Sequence, residues 1–341
     1  MSRLEFSRRR CGFLLGGGIA AAATSLWPRN GEAAASMRLR QEWFPYSGFA
    51  GEVLAAMKYA PGLNVNLQVI AGGETIDPIK TVLSGQDQMG VASGDLVIMA
   101  IARGAPVISI GIVNDISPTC FIVRADSDIR GPQDFPGKRV GILAGTNTQR
   151  IYELMMLRNN IDRKKVQEVE APFDVHTFML GQYDVRPAFI YDEPVTLARA
   201  GMQFRIIKPQ DFGVTSIGTV YFTRKDVMAR RRSDLVATLR ALVSGWRDVA
   251  TTAGQEEAIA ALKKQFPDVD ASREAESLKL GASYFLGPAG TNRPLDLNLA
   301  HLLDTIHGLE QLKSLKPGVV KAENVWAPSL LNDAYAQLSH L

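Results

Sequence analysis

Short apolar segments alternate with longer segments of helical periodicity over most of the chain. The apolar segments are rich in β-branched residues and short enough for strands, and the intervening segments carry apolar residues at spacings of three and four. Strands that alternate with helices favour an α/β fold with mostly parallel sheets. The predicted strands are MRLRQEWF, LNVNLQVI, QMGVAS, VISIGIV, TCFIVRA, RVGILA, RPAFIY, FRIIKP and TVYFTR.

The pattern becomes helical from Ser233 onward, where apolar spacings of three and four recur to the end of the chain. Earlier helices are predicted between the strands. These earlier helices are GEVLAAMKYA, DPIKTVLSG, GDLVIMAIARG and NTQRIYELMMLRNN. The sequence therefore predicts an α/β region followed by a helical C-terminal region.

Two segments, residues 83–97 and 180–198, share one order of features: helix end, glycine turn, strand, polar cluster, helix. Glycine supplies the left-handed conformation that ends a helix at little cost. Ligands bind at the carboxyl ends of strands in open α/β sheets. We therefore expect two similar lobes whose binding edges face each other across a cleft. The polar clusters at the strand ends are Ser93-Gly94-Asp95 and Tyr191-Asp192-Glu193.

Two further strand-to-helix junctions carry glycine with small polar residues. VIAGGETIDPIK places Glu74 after a glycine pair, and ILAGTNTQRIYE places Thr146 and Asn147 at the start of a helix. Glycine permits close backbone approach, and a helix amino end attracts negative groups. One such junction alone is an ordinary capped turn, but several at strand ends indicate a binding edge.

The first 35 residues have the order of an export signal. Arginines at the start precede an apolar run over residues 12–26 and then Ala33-Ala34-Ala35. The run is shorter than a bilayer-spanning helix, which needs about 20 residues. We predict cleavage after Ala35 and a periplasmic location. The signal is twin-arginine-like or general, because Cys11 and Gly12 depart from the twin-arginine pattern.

Charge and cysteine content exclude several functions. The net charge of +3 includes the arginines of the signal, so the mature chain is near neutral and no nucleic-acid partner is expected. Cys120 is the one cysteine after the signal, which excludes an internal disulfide and favours a buried thiol. No HExxH or paired-cysteine spacing appears, so no metal or other cofactor is predicted.

Several segments together resemble the periplasmic substrate-binding proteins of ABC importers for nitrate, sulfonates, taurine and thiamine-pyrimidine precursors. The resemblance implies a type II periplasmic-binding-protein fold, in which two α/β lobes are joined by two crossover strands near residues 114–119 and 213–219. It implies lobe 1 over residues 37–116 plus 219–341 and lobe 2 over residues 117–218. The segments that carry it are residues 83–95, 102–113, 131–146, 180–194 and 211–214.

Within this family the pyrimidine-precursor branch is the most similar. Its members open with a Trp-Phe-Pro-like segment, as Trp43-Phe44-Pro45 does here, and place a carboxylate where Glu193 stands in YDEP. This chain has the short segment 46–49 where such proteins often carry a longer glycine- and asparagine-rich one. The resemblance therefore implies capture of a small heteroaromatic solute. The alternatives are a small anion such as a sulfonate, taurine or nitrate, and a pyrimidine-synthase-like enzyme.

The aromatic loop at residues 41–51 then has a function. Trp43 and Tyr46 are expected to stack on a flat ligand, and Glu193 to accept hydrogen bonds from an amine and a ring nitrogen. Ser93, Thr146 and Asn147 would fix its orientation. The remaining predicted ligand-binding residues are Phe44, Glu74, Asp95, Asn114 and Tyr191.

The mechanism implied by the resemblance is that of a Venus flytrap: the lobes close on the ligand, and a membrane permease recognises the closed form. We predict a non-enzymatic monomer that works with ABC permease and ATPase subunits. The histidines give no support to a catalytic alternative, because none of the four lies beside a cysteine or in a metal-binding spacing.

Overall fold

Ten strands form the framework of the protein in the computed structural model, which describes residues 34–338. The predicted export signal lies outside these residues except for its last two, and Ala35 already begins the first strand. The strands are β1 (Ala35–Arg40), β2 (Val65–Ile70), β3 (Met89–Ser93), β4 (Val107–Ile112), β5 (Thr119–Arg124), β6 (Arg139–Ile142), β7 (Gln167–Glu170), β8 (Val185–Phe189), β9 (Phe204–Ile207) and β10 (Thr219–Arg224).

The strands divide into two five-stranded mixed sheets. The first sheet has the order β2-β1-β3-β10-β4 and the second has the order β7-β6-β8-β5-β9. In each sheet two pairings are parallel and two are antiparallel. The expectation of mostly parallel sheets is therefore wrong for half of the pairings. The antiparallel pairings all involve β5 and β10, which are the strands that the chain enters on crossing from one sheet to the other.

Each of the nine strands predicted from the pattern overlaps an observed strand. The predicted strands extend too far at their carboxyl ends. For example, the strand predicted for MRLRQEWF ends at Arg40 in the structure. Strand β7 was missed because its sequence, QEVE, is polar and mostly exposed. An edge strand of this kind lacks the apolar alternation by which buried strands are detected.

Helices follow the strands and cover both sheets. Gly85 and Gly181, which end the helical segments before β3 and β8, have φ values of 81° and 72°, as the repeated segments predict. The helices are α1 (Ala50–Leu54), α2 (Pro78–Leu83), α3 (Gly94–Ala102), α4 (Asn147–Arg158), α5 (His176–Met179), α6 (Glu193–Arg199), α7 (Lys225–Arg230), α8 (Arg232–Asp248), α9 (Thr252–Gln265), α10 (Ala271–Gly281), α11 (Leu299–Gln311), α12 (Ala322–Val325) and α13 (Pro328–Leu338).

The chain crosses between the sheets twice. It leaves the first sheet after Ile112, enters the second at Thr119, leaves that sheet after Ile207 and re-enters the first at Thr219. The predicted lobe limits at residues 116/117 and 218/219 stay a prediction, since strand order alone does not assign the surrounding helices to either lobe.

A buried carboxyl group lies in the core of the first sheet. Glu52 of α1 is fully buried and accepts hydrogen bonds from Gln41 Nε2 at 3.1 Å and from the Tyr221 hydroxyl at 3.0 Å. Trp246 Nε1 donates to the Tyr221 oxygen at 2.8 Å and completes the network. Burial raises the pKa of Glu52 to about 8, and the two donors only partly oppose the rise.

We predict that Glu52→Gln makes the protein more stable above pH 6. The folded state keeps a proton on Glu52 that the unfolded state releases from its ordinary pKa of 4.5 upward. Stability therefore falls as pH rises from about 4.5 to 8, with a slope of up to about 1.4 kcal/mol per pH unit. Glutamine has the shape of the neutral acid and removes this slope. The measurement is urea unfolding between pH 5 and 9.

The matched control is Glu256→Gln, which removes one exposed carboxylate from α9. This variant should keep the wild-type pH profile. A Glu52→Gln profile parallel to that of the wild type would mean that Glu52 is ionised in the folded protein.

Candidate functional site

The carboxyl-end loops of the two sheets meet. The Trp43 ring, on the loop after β1, lies 4.6 Å from the Phe173 ring, on the loop after β7. The Tyr46 ring stacks at 6.3 Å on Tyr191, which follows β8. We call these contacting loops the inter-sheet face. The carboxyl-end edges of the two sheets therefore face each other as expected, and aromatic rings form much of the contact.

The aromatic residues of the loop at residues 41–51 are divided between the core of the first sheet and the inter-sheet face. Phe49 is buried in the core of the first sheet, whereas Phe44 is 51% exposed. The Tyr46 ring folds back over Gly48, where a Cβ atom would lie 2.4 Å from the tyrosine oxygen, so a larger residue would displace this ring. Trp43 is half-buried, and its ring meets Phe44 edge to face at 5.4 Å. The predicted ring residues Trp43, Phe44 and Tyr46 therefore all lie at the inter-sheet face.

An ion pair joins the two sheets beside these rings. Arg150 of α4 donates through Nε to the Asp95 carboxylate in the first turn of α3. Both side chains are largely buried, with 13% and 3% of their surface exposed. Arg150 Nη1 also donates to the Gly145 carbonyl at 3.1 Å, and Nη2 has no hydrogen-bond partner within residues 34–338. Asp95, a predicted ligand residue, is thus paired with the opposite sheet.

The side chains at the amino end of α4 include several hydrogen-bond donors and acceptors. The Thr146 hydroxyl accepts a long hydrogen bond from the Gln149 amide at 3.4 Å and donates to the Leu143 carbonyl at 2.6 Å. Asn147 is 6% exposed; its Oδ1 accepts from the Thr119 hydroxyl at 3.1 Å. Its Nδ2 has no partner in the described part of the chain.

Asn147 and Arg150 line a partly open pocket of about 20 Å³, together with Asp95, Ser216, Thr305 and apolar residues of α4 and α11. This is room for one water molecule and is too small for an organic ligand. The two unpaired donors of Asn147 and Arg150 lie at this pocket.

Glu42 was not predicted but lies at the same edge. Its Oε1 accepts the Ser93 amide at 3.1 Å, and its Oε2 accepts the Ser93 hydroxyl at 3.4 Å. Burial raises the pKa of Glu42 to about 7, and the negative charge of Asp95 adds to the rise. Both hydrogen-bond donors of Ser93, a predicted ligand residue, are therefore bonded to the Glu42 carboxylate.

Glu193 has partners within its own sheet. Its Oε2 accepts the Phe189 amide at 2.8 Å, and its Oε1 lies 3.6 Å from Nη2 of the fully buried Arg186. Burial raises the pKa of Glu193, and the charge of Arg186 opposes the rise. The neighbouring Tyr191 is buried, and its carbonyl accepts the Ser277 hydroxyl of α10. The ligand role of Glu193 and Tyr191 stays a prediction.

The two other predicted residues lie apart. Asn114 is buried in the first crossing segment, where its Oδ1 accepts the Thr219 amide at 3.3 Å and its Nδ2 donates to the Tyr284 carbonyl at 3.3 Å. Glu74 is exposed on the loop before α2. Asn114 therefore joins the crossing segments, and the ligand role of Glu74 stays a prediction.

Neither Cys120 nor His176 is well placed for chemistry at this face. Cys120 is buried in β5, and burial raises the pKa of its thiol well above the ordinary value, which disfavours the nucleophilic thiolate. His176 is exposed beside Asp174. Residues 34–338 contain no group of three His, Cys, Asp or Glu side chains arranged to hold a metal ion. Over the same residues, no helix is both long and apolar enough to cross a bilayer.

Solved structures with the same architecture include sulfonate-binding proteins. The periplasmic aliphatic sulphonate binding protein SsuA from Escherichia coli is 18% identical, with a TM-score of 0.65 over 86% of this chain and 92% of that one. The alkanesulfonate-binding protein SsuA from Xanthomonas axonopodis pv. citri, bound to MOPS, is 15% identical, with a TM-score of 0.61 over 86% and 99%. The predicted type II periplasmic-binding-protein fold is thereby confirmed.

The same architecture also occurs in an enzyme. The desulfurization enzyme DSZB is 15% identical, with a TM-score of 0.60 over 88% of this chain and 99% of the enzyme. No curated protein sequence matches the chain significantly. Residues 59–256 match the NMT1/THI5-like family, and the chain belongs to that family. The predicted pyrimidine-precursor branch is not confirmed by these similarities.

Sequence reasoning missed three residues of the face: Glu42, Arg150 and Phe173. Glu42 directly precedes Trp43, so its position after the first strand was a usable signal. Arg150 lies four residues after Thr146 and therefore near the predicted helix start. Phe173 gave no signal, because its contact with Trp43 joins residues that are distant along the chain.

The Asp95–Arg150 pair should couple the two sheets energetically. Removing one partner of a buried ion pair leaves an uncompensated charge, so Asp95→Asn and Arg150→Gln should each cost about 3 kcal/mol of unfolding free energy. The double variant should cost about 1–3 kcal/mol less than the sum. Urea unfolding of the wild type, the two single variants and the double variant gives the double-mutant cycle. Additive costs would contradict a direct pairing across the sheets.

Proposed function

We propose that this protein is the solute-binding component of an ABC-type import system, and that its solute is a small organic molecule with a sulfonate group. The proposal is supported by family membership and by the fold that the chain shares with sulfonate-binding proteins. The solute would bind at the inter-sheet face, with its anionic group at the amino end of α4 and its apolar part among the aromatic rings.

One observation carries the assignment of an anion: Asn147 Nδ2 and Arg150 Nη2 are buried donors with no partner within residues 34–338. Unpaired buried donors cost free energy, and a sulfonate oxygen satisfies them. They lie at the amino end of α4, where the helix dipole also favours negative charge.

The first turns of the neighbouring helices support the placement of the anion at the amino end of α4. Helix α3 carries Asp95 in its first turn, and α6 carries Glu193. The first turn of α4 contains no acidic residue. An anion is therefore favoured at α4 and repelled at the other two helix starts.

A mechanism follows from the Asp95–Arg150 pair. When the sheets are in contact, the Asp95 carboxylate is paired with the Arg150 guanidinium. A sulfonate that enters the face competes with Asp95 for the guanidinium and gains the unpaired Asn147 donor as well. Rings such as Trp43 and Phe173, now in mutual contact, would pack against the apolar part of the solute.

The pyrimidine interpretation has weaker support. It needs Glu193 to accept from an amine and a ring nitrogen, yet Glu193 already accepts from Phe189 and lies beside Arg186. The enzyme interpretation is supported by the architecture shared with DSZB, but Cys120, which is buried with a raised pKa, does not supply a thiolate nucleophile.

The proposal predicts that the full chain, refolded to remove any bound solute, binds hexane-1-sulfonate with micromolar affinity or better in calorimetry, which is about −8 kcal/mol. Hexan-1-ol, which lacks the anion, should bind at least tenfold more weakly. Arg150→Gln and Asn147→Ala should each weaken sulfonate binding about tenfold or more, since each removes a donor to the anion.

Arg139→Gln is the matched control, because Arg139 begins β6 at the opposite edge of the second sheet and pairs with Asp184 at 2.8 Å. It should bind the sulfonate as the wild type does. Binding of 4-amino-5-hydroxymethyl-2-methylpyrimidine in place of sulfonates would overturn the anion assignment. Binding of sulfonate that is indifferent to both Arg150→Gln and Asn147→Ala would move the anion away from α4.

A further inference from the structure

Arg186 of β8 is fully buried, and its side chain holds a loop of the inter-sheet face. Its Nη2 donates to the Phe173 carbonyl at 2.5 Å, and its Nη1 donates to the Pro172 carbonyl at 3.1 Å. The donors of a guanidinium form a rigid fork, so this one side chain fixes two successive carbonyls of the loop after β7. The loop in turn carries the Phe173 ring, which lies 4.6 Å from the Trp43 ring of the other sheet.

The guanidinium is itself fixed by other groups. Its Nη1 also donates to the Tyr183 hydroxyl oxygen at 2.7 Å, and the same oxygen accepts from Thr177 Oγ1 of α5 at 3.2 Å. Its Nη2 lies 3.6 Å from Oε1 of Glu193, which begins α6. The position of the Phe173 loop is therefore linked, through Arg186, to β8 and to the helices that precede and follow this strand.

Stability alone does not explain a charge at this position. The cross-strand neighbour Ile122 and the next residue on the same face of β8, Ala188, are buried in an apolar cluster. Arg186 Nε has no hydrogen-bond partner within residues 34–338, and a buried donor without a partner costs free energy. Apolar side chains often stabilise a core as well as a buried ion pair does. An apolar side chain, however, cannot bind two carbonyls of the Phe173 loop.

The Phe173 ring lies where the apolar part of the proposed solute would bind. It is 45% exposed, so the loop presents this ring at the inter-sheet face and does not bury it in the core of the second sheet. Its contact with Trp43 joins loops of different sheets, and separation of the sheets opens this contact. An apolar group that enters there packs against both rings, and each methylene group that they bury contributes up to about fourfold in affinity.

We infer that Phe173 is a specificity-determining residue, which favours solutes with a longer apolar part, and that Arg186 is the residue that positions it. The inference rests on the proposed function and deepens it. The amino end of α4 binds the anionic group of every alkanesulfonate alike, whereas the Trp43–Phe173 pair distinguishes the length of the attached chain.

The first test compares hexane-1-sulfonate with ethane-1-sulfonate by calorimetry on the full chain. Wild-type protein should bind hexane-1-sulfonate at least tenfold more tightly, because its chain reaches further between the rings. Phe173→Ala removes one ring and should reduce this preference to less than threefold, while the affinity for ethane-1-sulfonate changes less than twofold. Full preference in Phe173→Ala, or equal affinity of the wild type for both sulfonates, would overturn the inference.

The second test concerns Arg186. Arg186→Lys keeps the positive charge beside Glu193 but lacks the fork that binds both loop carbonyls. It should reduce the preference for hexane-1-sulfonate about threefold and change the affinity for ethane-1-sulfonate less than twofold. A merely structural role would weaken the binding of both sulfonates equally. Arg186→Lys added to Phe173→Ala should reduce the preference no further, because Arg186 acts through Phe173.

Arg139→Lys is the matched control. Arg139 also donates to a carbonyl, that of Gln182 at 2.8 Å, and pairs with Asp184, but it lies at the opposite edge of the second sheet. This variant should keep the full preference for hexane-1-sulfonate. If Arg186→Lys does not fold, Pro172→Gly loosens the same loop from its exposed side and should reduce the preference in the same way. An unchanged preference in the loosened loop would contradict positioning by Arg186.

A measurement without solute tests the contact between the rings. In protein labelled with fluorotryptophan, the fluorine resonance of Trp43 is assigned by its loss in Trp43→Phe. Phe173→Ala should shift this resonance, because the neighbouring ring is removed, and Arg186→Lys should shift it in the same direction. Arg139→Lys should leave it in place. A Trp43 resonance that does not respond to Phe173→Ala would overturn the inference.

Failure of the inference and failure of the proposed function give different results. If neither sulfonate binds, the proposed function fails, and the selection of chain length fails with it. If sulfonates bind and the preference for the longer chain is indifferent to Phe173→Ala, the inference alone is overturned and the proposed function stands.

Discussion

The two crossing segments run side by side, and Asn114 holds them together. Its carbonyl accepts the Gly218 amide at 2.8 Å, and its side chain accepts the Thr219 amide. A Cβ atom at residue 218 would lie 2.7 Å from the Asn114 Cβ atom, so only glycine permits this approach. The relation of one sheet to the other, and hence every contact of the inter-sheet face, depends on this pair of segments.

The C-terminal helices add two further connections between the sheets. Ser277 of α10 accepts from the Ser47 hydroxyl at 2.8 Å and donates to the Tyr191 carbonyl, so it contacts loops of both sheets. On α11, Asp304 pairs with Arg158 of α4 at 2.7 Å, and Thr305 accepts the Ile217 amide at 2.9 Å. The helical region is therefore part of the bilobal architecture and not an appended unit.

These connections constrain how the sheets can separate. The α11 contacts lie beside the second crossing segment, where rotation displaces atoms least, and they can persist during a hinge motion. The contacts of Ser277 lie at the aromatic loop, where the same rotation displaces atoms most. In the proposed binding mechanism, such a rotation stretches the α10 contacts before it affects those of α11.

Much of the fold could be predicted from the sequence because local patterns determine it. The continuous apolar run of TCFIVRA and the glycine turns at Gly85 and Gly181 are visible along the chain. Strand β7 was not predicted because QEVE is polar at three of its four positions and is mostly exposed. The mixed pairing of each sheet was not predicted because the direction of β10 depends on the return crossing and not on its own residues.

The site was harder to predict because its chemistry depends on partners across the sheets. Glu193 and Asp95 are both acidic residues at strand ends, and their sequences do not distinguish them. The structure does, since Glu193 lies beside Arg186 of its own sheet and Asp95 pairs with Arg150 of the other. Only long-range pairing reveals which carboxylates are already neutralised.

The charges and unpaired donors at the inter-sheet face limit where an anionic group of the proposed solute can bind. Where a helix start already bears a carboxylate, as at α3 and α6, a second anion is disfavoured. Where donors are buried without acceptors, as at Asn147, an anion is favoured. A neutral flat ring leaves these donors unsatisfied, whereas an anionic group satisfies them.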